Sequence, residues 1–371
     1  MKLLFILGNA AGRGGTERVT CELANAFAGA ANDVEILSPF GRNEAYFALS
    51  PSVKVTCLGL LEARGRLGRF GRISWALYRY CLRSKPDVVL VVDTIQFMFC
   101  LPWFWCLRAH FVCWEHFNLT TEHGSRFRTM ARVAAAWWSD AIVVLTERDA
   151  RAWRQRFAIG YRVQAIWNPI PRFDTRPSAL AERSRIVLAV GRLTEQKGFD
   201  VLLRAWQQLS DSREDWILRI VGSGKDDAML KRLARDLGVS ESVVFVGQTK
   251  AVASEYRAAS LYVMSSRWEG LPMTLLEAQY FGLPSIATDC PTGPREVLSG
   301  GSGWLVEPGD PRALSKGLAE LLSRPEKRAE MSSAALENAR RYVPEEIRSK
   351  WERLFERLGV AAENKSGETG Q

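Results

Sequence analysis

Short apolar runs alternate with amphipathic stretches along nearly the whole chain. In the first half, runs at 2–8, 33–38, 53–58, 87–93, 109–114, 141–145 and 163–167 read as strands, most with helical patterns between them. Such alternation predicts a doubly wound α/β sheet of parallel strands. The second half repeats it, with strands at 186–190, 216–221, 243–246, 261–264 and 284–288 and helices at 199–209, 226–237, 251–258 and 272–281. Further helices follow at 310–322, 326–341 and about 345–358. A Pro- and charge-rich stretch from Trp167 to Arg185 separates the halves. The pattern therefore predicts a first domain over 1–170, a linker over 171–185, a second domain over 186–344 and a small, polar, disordered tail over 361–371.

With 371 residues the chain is long enough for two full cores, and its 47% hydrophobic and 25% charged content is ordinary for a soluble protein. The run Ile95 to Leu107 is too short for a membrane span. It reads as a buried helix and its flank, with contact of its aromatics to a bilayer as the second reading. Met1 to Gly8 reads as a first buried strand, because its apolar stretch is too short for a signal peptide. Seven Cys without metal-ligand spacing read as small core residues of a reduced, cytosolic protein. The formal charge of +9 is uneven: residues 1–180 hold 23 Lys and Arg against 14 Asp and Glu, which leaves 27 of each sign in the remainder. The excess predicts an anionic partner for the first half. The run Arg64, Arg66, Arg69, Arg72 reads either as a flexible basic loop for an anionic membrane surface, helped by Phe70 and Trp75, or as a plain solvated loop.

The candidate chemistry lies in the loops that follow strands. After the first strand, Gly8 to Glu17 is a Gly-rich turn entering a helix, where a phosphate can approach the backbone. It lacks Gly-x-Gly-x-x-Gly in register, so it is not a dinucleotide fingerprint. Trp114-Glu115-His116 ends another strand, at the edge where open α/β sheets gather ligands. Glu115 and His116 should face opposite ways. In the second half, Gly191 to Gly198 places Arg192 and Lys197 in one Gly-bounded loop, where both can reach a diphosphate. Gly222 and Gly247 with Thr249 end the next two strands. Arg267 to Ala278 then reads as loop and helix, with Glu269 in the loop, Pro272 suited to the first helical turn, Glu277 within the helix, and amides of Gly270, Leu271, Met273 and Thr274 at an anion site.

This motif, with Phe281-Gly282-Leu283-Pro284 and Asp289 to Glu296 after it, resembles the signature of the retaining family-4 glycosyltransferases of the GT-B fold, of the bacterial surface-polysaccharide type. The resemblance covers nearly the whole chain and is densest over 186–309. It implies two Rossmann-like domains facing a cleft, with the helix at 345–358 crossing back onto the first domain. The second domain would hold a nucleotide-sugar donor, with a UDP-sugar as the expected one, and the first a lipid-linked saccharide acceptor. In that reading Arg192, Lys197 and the helix start after Gly270 neutralise the leaving diphosphate, Glu269 holds sugar hydroxyls, Glu277 binds ribose, and His116 orients the sugar. Gly14, Gly15, Glu17 and Arg18 match the family's first loop, beside the donor diphosphate and the acceptor. Asp289 to Pro294 leans toward UDP-linked galactose or N-acetylhexosamine. No Asp-x-Asp triplet is present, so the reading needs no metal or other cofactor. The alternatives are a GT-B synthase or epimerase with a soluble acceptor, and a basic nucleic-acid-binding protein, for which no recognition motif is found.

Overall fold

The computed structural model describes every residue except 31, 61–65, 120–124, 174–182, 210–214 and 361–371. The expected tail and the middle of the expected linker therefore lie outside the described residues, as does Arg64. The chain forms two compact units: Met1–Pro169 together with the segment from Pro344 onward, and Ile170–Val343 between them.

The first unit contains β1 (Lys2–Ile6), α1 (Gly15–Ala28), β2 (Asp33–Ser38), β3 (Val53–Cys57), α2 (Arg66–Ser84), β4 (Val88–Val92), α3 (Thr94–Cys100), β5 (His110–Trp114), α4 (Arg126–Trp138), β6 (Ala141–Val144), α5 (Glu147–Phe157) and β7 (Val163–Ala165). Its seven strands lie in the order β3-β2-β1-β4-β5-β6-β7, and each pairing is parallel. Central strands are apolar throughout because helices cover both faces; Val88 to Val92 are all buried. Alternate strand residues separate those faces. Leu4, Ile6, Val89, Val91, Phe111, Cys113, Ile142 and Val144 share one core with α2, α3, α4 and α5. On the other face α1 packs against α13 (Pro344–Arg357). Trp351 of α13 meets Trp114 edge-on at 5.3 Å, and Phe355 stacks on Phe27 at 5.7 Å.

The second unit contains β8 (Ile186–Val190), α6 (Phe199–Gln207), β9 (Ile217–Val221), α7 (Asp227–Asp236), β10 (Val243–Gly247), α8 (Val252–Ala258), β11 (Leu261–Met264), α9 (Met273–Tyr280), β12 (Ser285–Thr288), α10 (Pro294–Val297), β13 (Gly303–Val306), α11 (Pro311–Ser323) and α12 (Pro325–Ala339). Its sheet is also parallel, in the order β10-β9-β8-β11-β12-β13. The order reverses between β8 and β11, which makes their carboxyl ends the place for a ligand crevice.

Several expectations change. β13 was not among the expected strands; it is a four-residue edge, Gly-Trp-Leu-Val, with only Val306 buried. Pro272 is the N-cap of α9 rather than a residue of its first turn. The basic run is not a loop: Arg66, Arg69 and Arg72 lie in α2. Phe70 packs on Phe99 at 5.2 Å and the Arg69 guanidinium covers Phe40 at 5.0 Å, so neither stands free. Cys106 is exposed and Cys57 half-buried, unlike the other five Cys, which are in the core.

Trp351 is fully buried on the face of the first unit that α13 closes. Trp351→Ala should therefore destabilise that unit by about 3–5 kcal/mol. Urea unfolding followed by tryptophan fluorescence checks this; an unchanged midpoint would mean that α13 contributes little there.

Candidate active site

The loops after β8 and β11 are stitched together at the strand reversal. Arg267 N donates to the Gln196 carbonyl at 2.8 Å, and Gln196 Nε2 donates to the Trp268 carbonyl at 3.0 Å. Ser265 Oγ donates to the Lys197 carbonyl at 2.9 Å. The Arg267 guanidinium donates to both Asp200 carboxylate oxygens, at 2.8 and 2.7 Å, and holds that carboxyl below its ordinary range. At the centre, Lys197 Nζ lies 2.6 Å from Glu269 Oε1. Ser266 Oγ donates to the same oxygen at 2.6 Å, and Thr292 Oγ1 donates to the Glu269 carbonyl at 2.5 Å. Oε2 of Glu269 accepts no hydrogen bond among the described residues. Lys197 and Glu269 are 15% and 6% exposed, so the pair is largely shielded from water.

Glycine geometry makes this approach possible. Gly198 has φ of 62°, and a Cβ there would collide with the Ser265 carbonyl. Gly222 has φ of 139°, and a Cβ there would strike the Gly191 carbonyl. Gly191 N donates to Val221 O at 3.0 Å and Gly222 N to Gly247 O at 2.9 Å, which brings the ends of β8, β9 and β10 together. Thr249 Oγ1 accepts from Ala251 N at 3.0 Å and so serves its own turn.

Around α9, Leu271 and Pro272 are buried, while Gly270, Met273 and Thr274 are half-buried, and the N-cap Pro272 supplies no side-chain cap of its own. Glu277 is 3% exposed. The Tyr256 hydroxyl donates to its Oε2 at 2.8 Å, and the Tyr262 hydroxyl donates to Thr274 Oγ1 at 2.8 Å. Arg192 differs from all of these. It is exposed, and no described hydrogen bond or ion pair engages its guanidinium. The second unit thus brings Arg192, Lys197, Glu269 and the start of α9 to one place in its own sheet.

In the first unit, His116 follows β5 with its ring 4.5 Å from Trp114. Among the described residues its buried Nε2 has no hydrogen-bond partner. Burial pulls its pKa down to about 3, so the ring is neutral near pH 7. Glu115 turns the other way, as strand alternation requires, and is fully buried. It accepts from Thr94 Oγ1 at 2.7 Å, Arg132 Nε at 3.1 Å and Phe117 N at 3.0 Å. Burial pushes the Glu115 carboxyl up and Asp93 adds to the push, against the pull of Arg132 and Arg128. The Arg132 guanidinium also donates to the carbonyls of Phe117, Asn118 and Leu119, at 3.0 to 3.2 Å. That clamp fixes the loop carrying His116. Gly14 caps α1, Gly15 begins it, and both are exposed; Glu17 folds back over Gly12 and Gly14, and Arg18 is half-buried.

Sequence reasoning left Arg132, Arg267, Asp200, Ser266 and Thr292 without roles. Arg267 and Thr292 stand inside the quoted motifs and Ser266 directly before one, the only signal available; Arg132 and Asp200 carry none, because their partners are distant in sequence.

Comparison with known proteins agrees with this architecture. Residues 13–172 match the family described as glycosyltransferase family 4, and residues 172–338 match glycosyl transferases group 1. The chain is 32% identical over 355 residues to an uncharacterized glycosyltransferase of Haemophilus influenzae, covering 95% of this chain and 99% of that protein. It is 28% identical over 366 residues to an α-1,4-N-acetyl-D-galactosaminyltransferase of Campylobacter jejuni named for a saccharide on diphospho-undecaprenol, covering 96% and 98%. HepE of Anabaena, solved with UDP, superposes with a TM-score of 0.78 at 19% identity, covering 96% of this chain and all of that one. Other bacterial relatives are named as an amylovoran biosynthesis glycosyltransferase and as lipopolysaccharide 1,6-galactosyltransferases.

Two outcomes separate the cations. Removing Lys197 strands a shielded carboxylate, so Lys197→Ala should cost about 3–5 kcal/mol of stability. Arg192→Ala should leave the melting temperature unchanged and weaken nucleotide affinity by about tenfold or more, as loss of a charge-assisted contact does. Thermal melts and titration calorimetry on both variants check this, and identical behaviour of the two would contradict the geometry.

A further outcome concerns His116. Between pH of about 3 and the ordinary 6.5 the unfolded chain binds this proton and the folded chain does not. Its contribution to stability is complete above that window and is lost as pH falls through it. His116→Gln should flatten the acid side of the stability profile; an unaltered slope would show that the ring titrates normally. On the matches and the paired parallel sheets together, the chain belongs to the family-4 glycosyltransferases, with the GT-B fold.

Proposed function

We propose that this glycosyltransferase moves a hexose or N-acetylhexosamine from a UDP-sugar to a lipid-linked saccharide, at the cytoplasmic face of a membrane, in surface-polysaccharide synthesis. The observation that carries the donor half is the junction at the strand reversal, where an unengaged Arg192, the Lys197–Glu269 pair and the start of α9 converge. Cations and a helix start suit a diphosphate, and a shielded carboxylate with one open oxygen suits sugar hydroxyls. UDP in the HepE structure and the undecaprenol-linked saccharide in the name of the Campylobacter relative support the choice of donor and acceptor.

In this reading Arg192 takes the diphosphate as a fork, and Lys197 shares its protons between Glu269 and a phosphate oxygen. Both oppose the charge that grows on the leaving group, where electrostatic stabilisation acts. Glu277 serves the ribose, and the neutral His116 offers Nε2 to the sugar. Gly14, Gly15, Glu17 and Arg18 form the first loop on the acceptor side. The anomeric carbon loses its bond to the diphosphate oxygen as the acceptor oxygen bonds on the same face. The departing phosphate takes the acceptor proton, so configuration is retained and no separate base is needed. The protein's own cations carry the neutralisation, and the reaction needs no metal.

Thermal-shift titration with a panel of nucleotide sugars tests the reading; stabilisation by UDP-sugars is expected, and indifference to every nucleotide would refute it. Glu269→Gln should lower turnover at least about tenfold while nucleotide affinity changes little, since it removes charge and keeps shape. Activity should also survive excess EDTA; loss restored only by a divalent cation would overturn the metal-free mechanism.

A further inference from the structure

The outer surface of α4 is inverted relative to an ordinary amphipathic helix. Arg128 and Arg132 turn inward to Asp93 and Glu115. Outward, Phe127, Met130, Val133 and Trp137 are 39%, 58%, 38% and 60% exposed. Steps of three and four residues align them in one ridge. α3 packs against both α4 and α2. On α2 the exposed positions include Arg72, Trp75, Arg79 and Arg83, again at near-helical spacing. The turn after α3 adds Trp105, 63% exposed. Because α2, α3 and α4 cover one core on the same side of the sheet, these residues belong to one face of the first unit.

Two features identify the occupant. Residues 66–84, 94–110 and 126–138 contain neither Asp nor Glu, and five of their Arg, at 72, 79, 83, 108 and 126, are exposed. A second copy of the chain would therefore set arginine against arginine, whereas an anionic surface complements the face. The exposed large apolar residues of the second unit, Ile217, Met229, Val244 and Leu336, include no aromatic ring, so the tryptophan enrichment is particular to this face. Tryptophan settles at the boundary of headgroup and acyl chain, and arginine pairs with lipid phosphate. Among the described residues no helix is long and apolar enough to cross a membrane.

We propose that the outer face of α2, the Trp105 turn and α4 docks on an anionic lipid bilayer, with Trp105 and Trp137 seated at headgroup level and Arg72, Arg79 and Arg83 on lipid phosphates. The proposal rests on the reading that the acceptor is lipid-borne, and of the basic run at 64–72 it keeps only Arg72 in the contact. The test is co-sedimentation of the full chain with phosphatidylglycerol-rich or pure phosphatidylcholine vesicles, at low and high salt. Two variants accompany it, Trp105→Ala/Trp137→Ala and Arg72→Gln/Arg79→Gln/Arg83→Gln. Wild type should partition onto phosphatidylglycerol vesicles at low salt, and each variant should lose at least about tenfold in partition coefficient. Its melting temperature and UDP-sugar affinity should be unchanged. All five positions are exposed, so if the tryptophan variant folds poorly the arginine variant still decides.

Absence of wild-type partition at low salt would overturn the proposal, as would undiminished partition of the arginine variant. A wild-type dimer by light scattering that ignores vesicles and separates in the tryptophan variant would assign the face to a second copy instead. UDP-sugar binding in the same samples keeps the two readings apart. Donor binding without vesicle binding sinks only the docking face, and vesicle binding without donor binding sinks the enzymatic reading.

Discussion

The contact between the Lys197 ammonium and the Glu269 carboxylate holds together the two loops that flank the strand reversal, and the donor site proposed above depends on it. Shielding an ion pair from water is expensive, and one pair rarely repays the cost alone. Here Ser266 adds a hydrogen bond to the carboxylate, Thr292 fixes the carbonyl of the same residue, and one backbone bond, from Arg267 N to the Gln196 carbonyl, holds the two loops together. The cost falls on the fold, and the return is a carboxylate whose position a sugar need not organise. Arg192 is left out of the network and keeps its charge available.

Much of the architecture was legible because it rests on local periodicity. Buried parallel strands such as Val88–Val92 announce themselves as apolar runs, and the two sheets follow from the alternation of such runs with amphipathic helices. Glu269 and Glu277 could be singled out because they stand in one short motif. The pairing of Lys197 with Glu269 could not, since 72 residues separate them and either side chain alone suits solvent or phosphate. The same holds for Arg132, whose helix looks merely basic until Glu115 is found beneath it.

Gly68 and Gly71 explain why the start of α2 read as a loop. Glycine weakens a helix by up to about 1 kcal/mol each. Stacking of Phe70 on Phe99 and of Arg69 on Phe40 offsets that loss through tertiary contact, which no local reading weighs. β13 was missed for the opposite reason: as an edge strand with one buried residue it hardly differs from a turn. The inward arginines of α4 and its outward aromatics are two sides of one arrangement, in which the loop after β5 is secured by charge and the apolar positions are left outside.

The return of α13 to the first unit bears on how the protein is made. Strand β7 leaves the ribosome at Ala165, yet the helix that covers Trp114 and Phe27 is complete only at Arg357. At ordinary elongation rates the interval is roughly 10–40 s. During synthesis the second unit, contiguous from Ile170 to Val343, can close its own core while the first still displays an aromatic face that awaits its last helix. The protein's period of greatest exposure to chaperones and proteases is therefore written into the order of its elements.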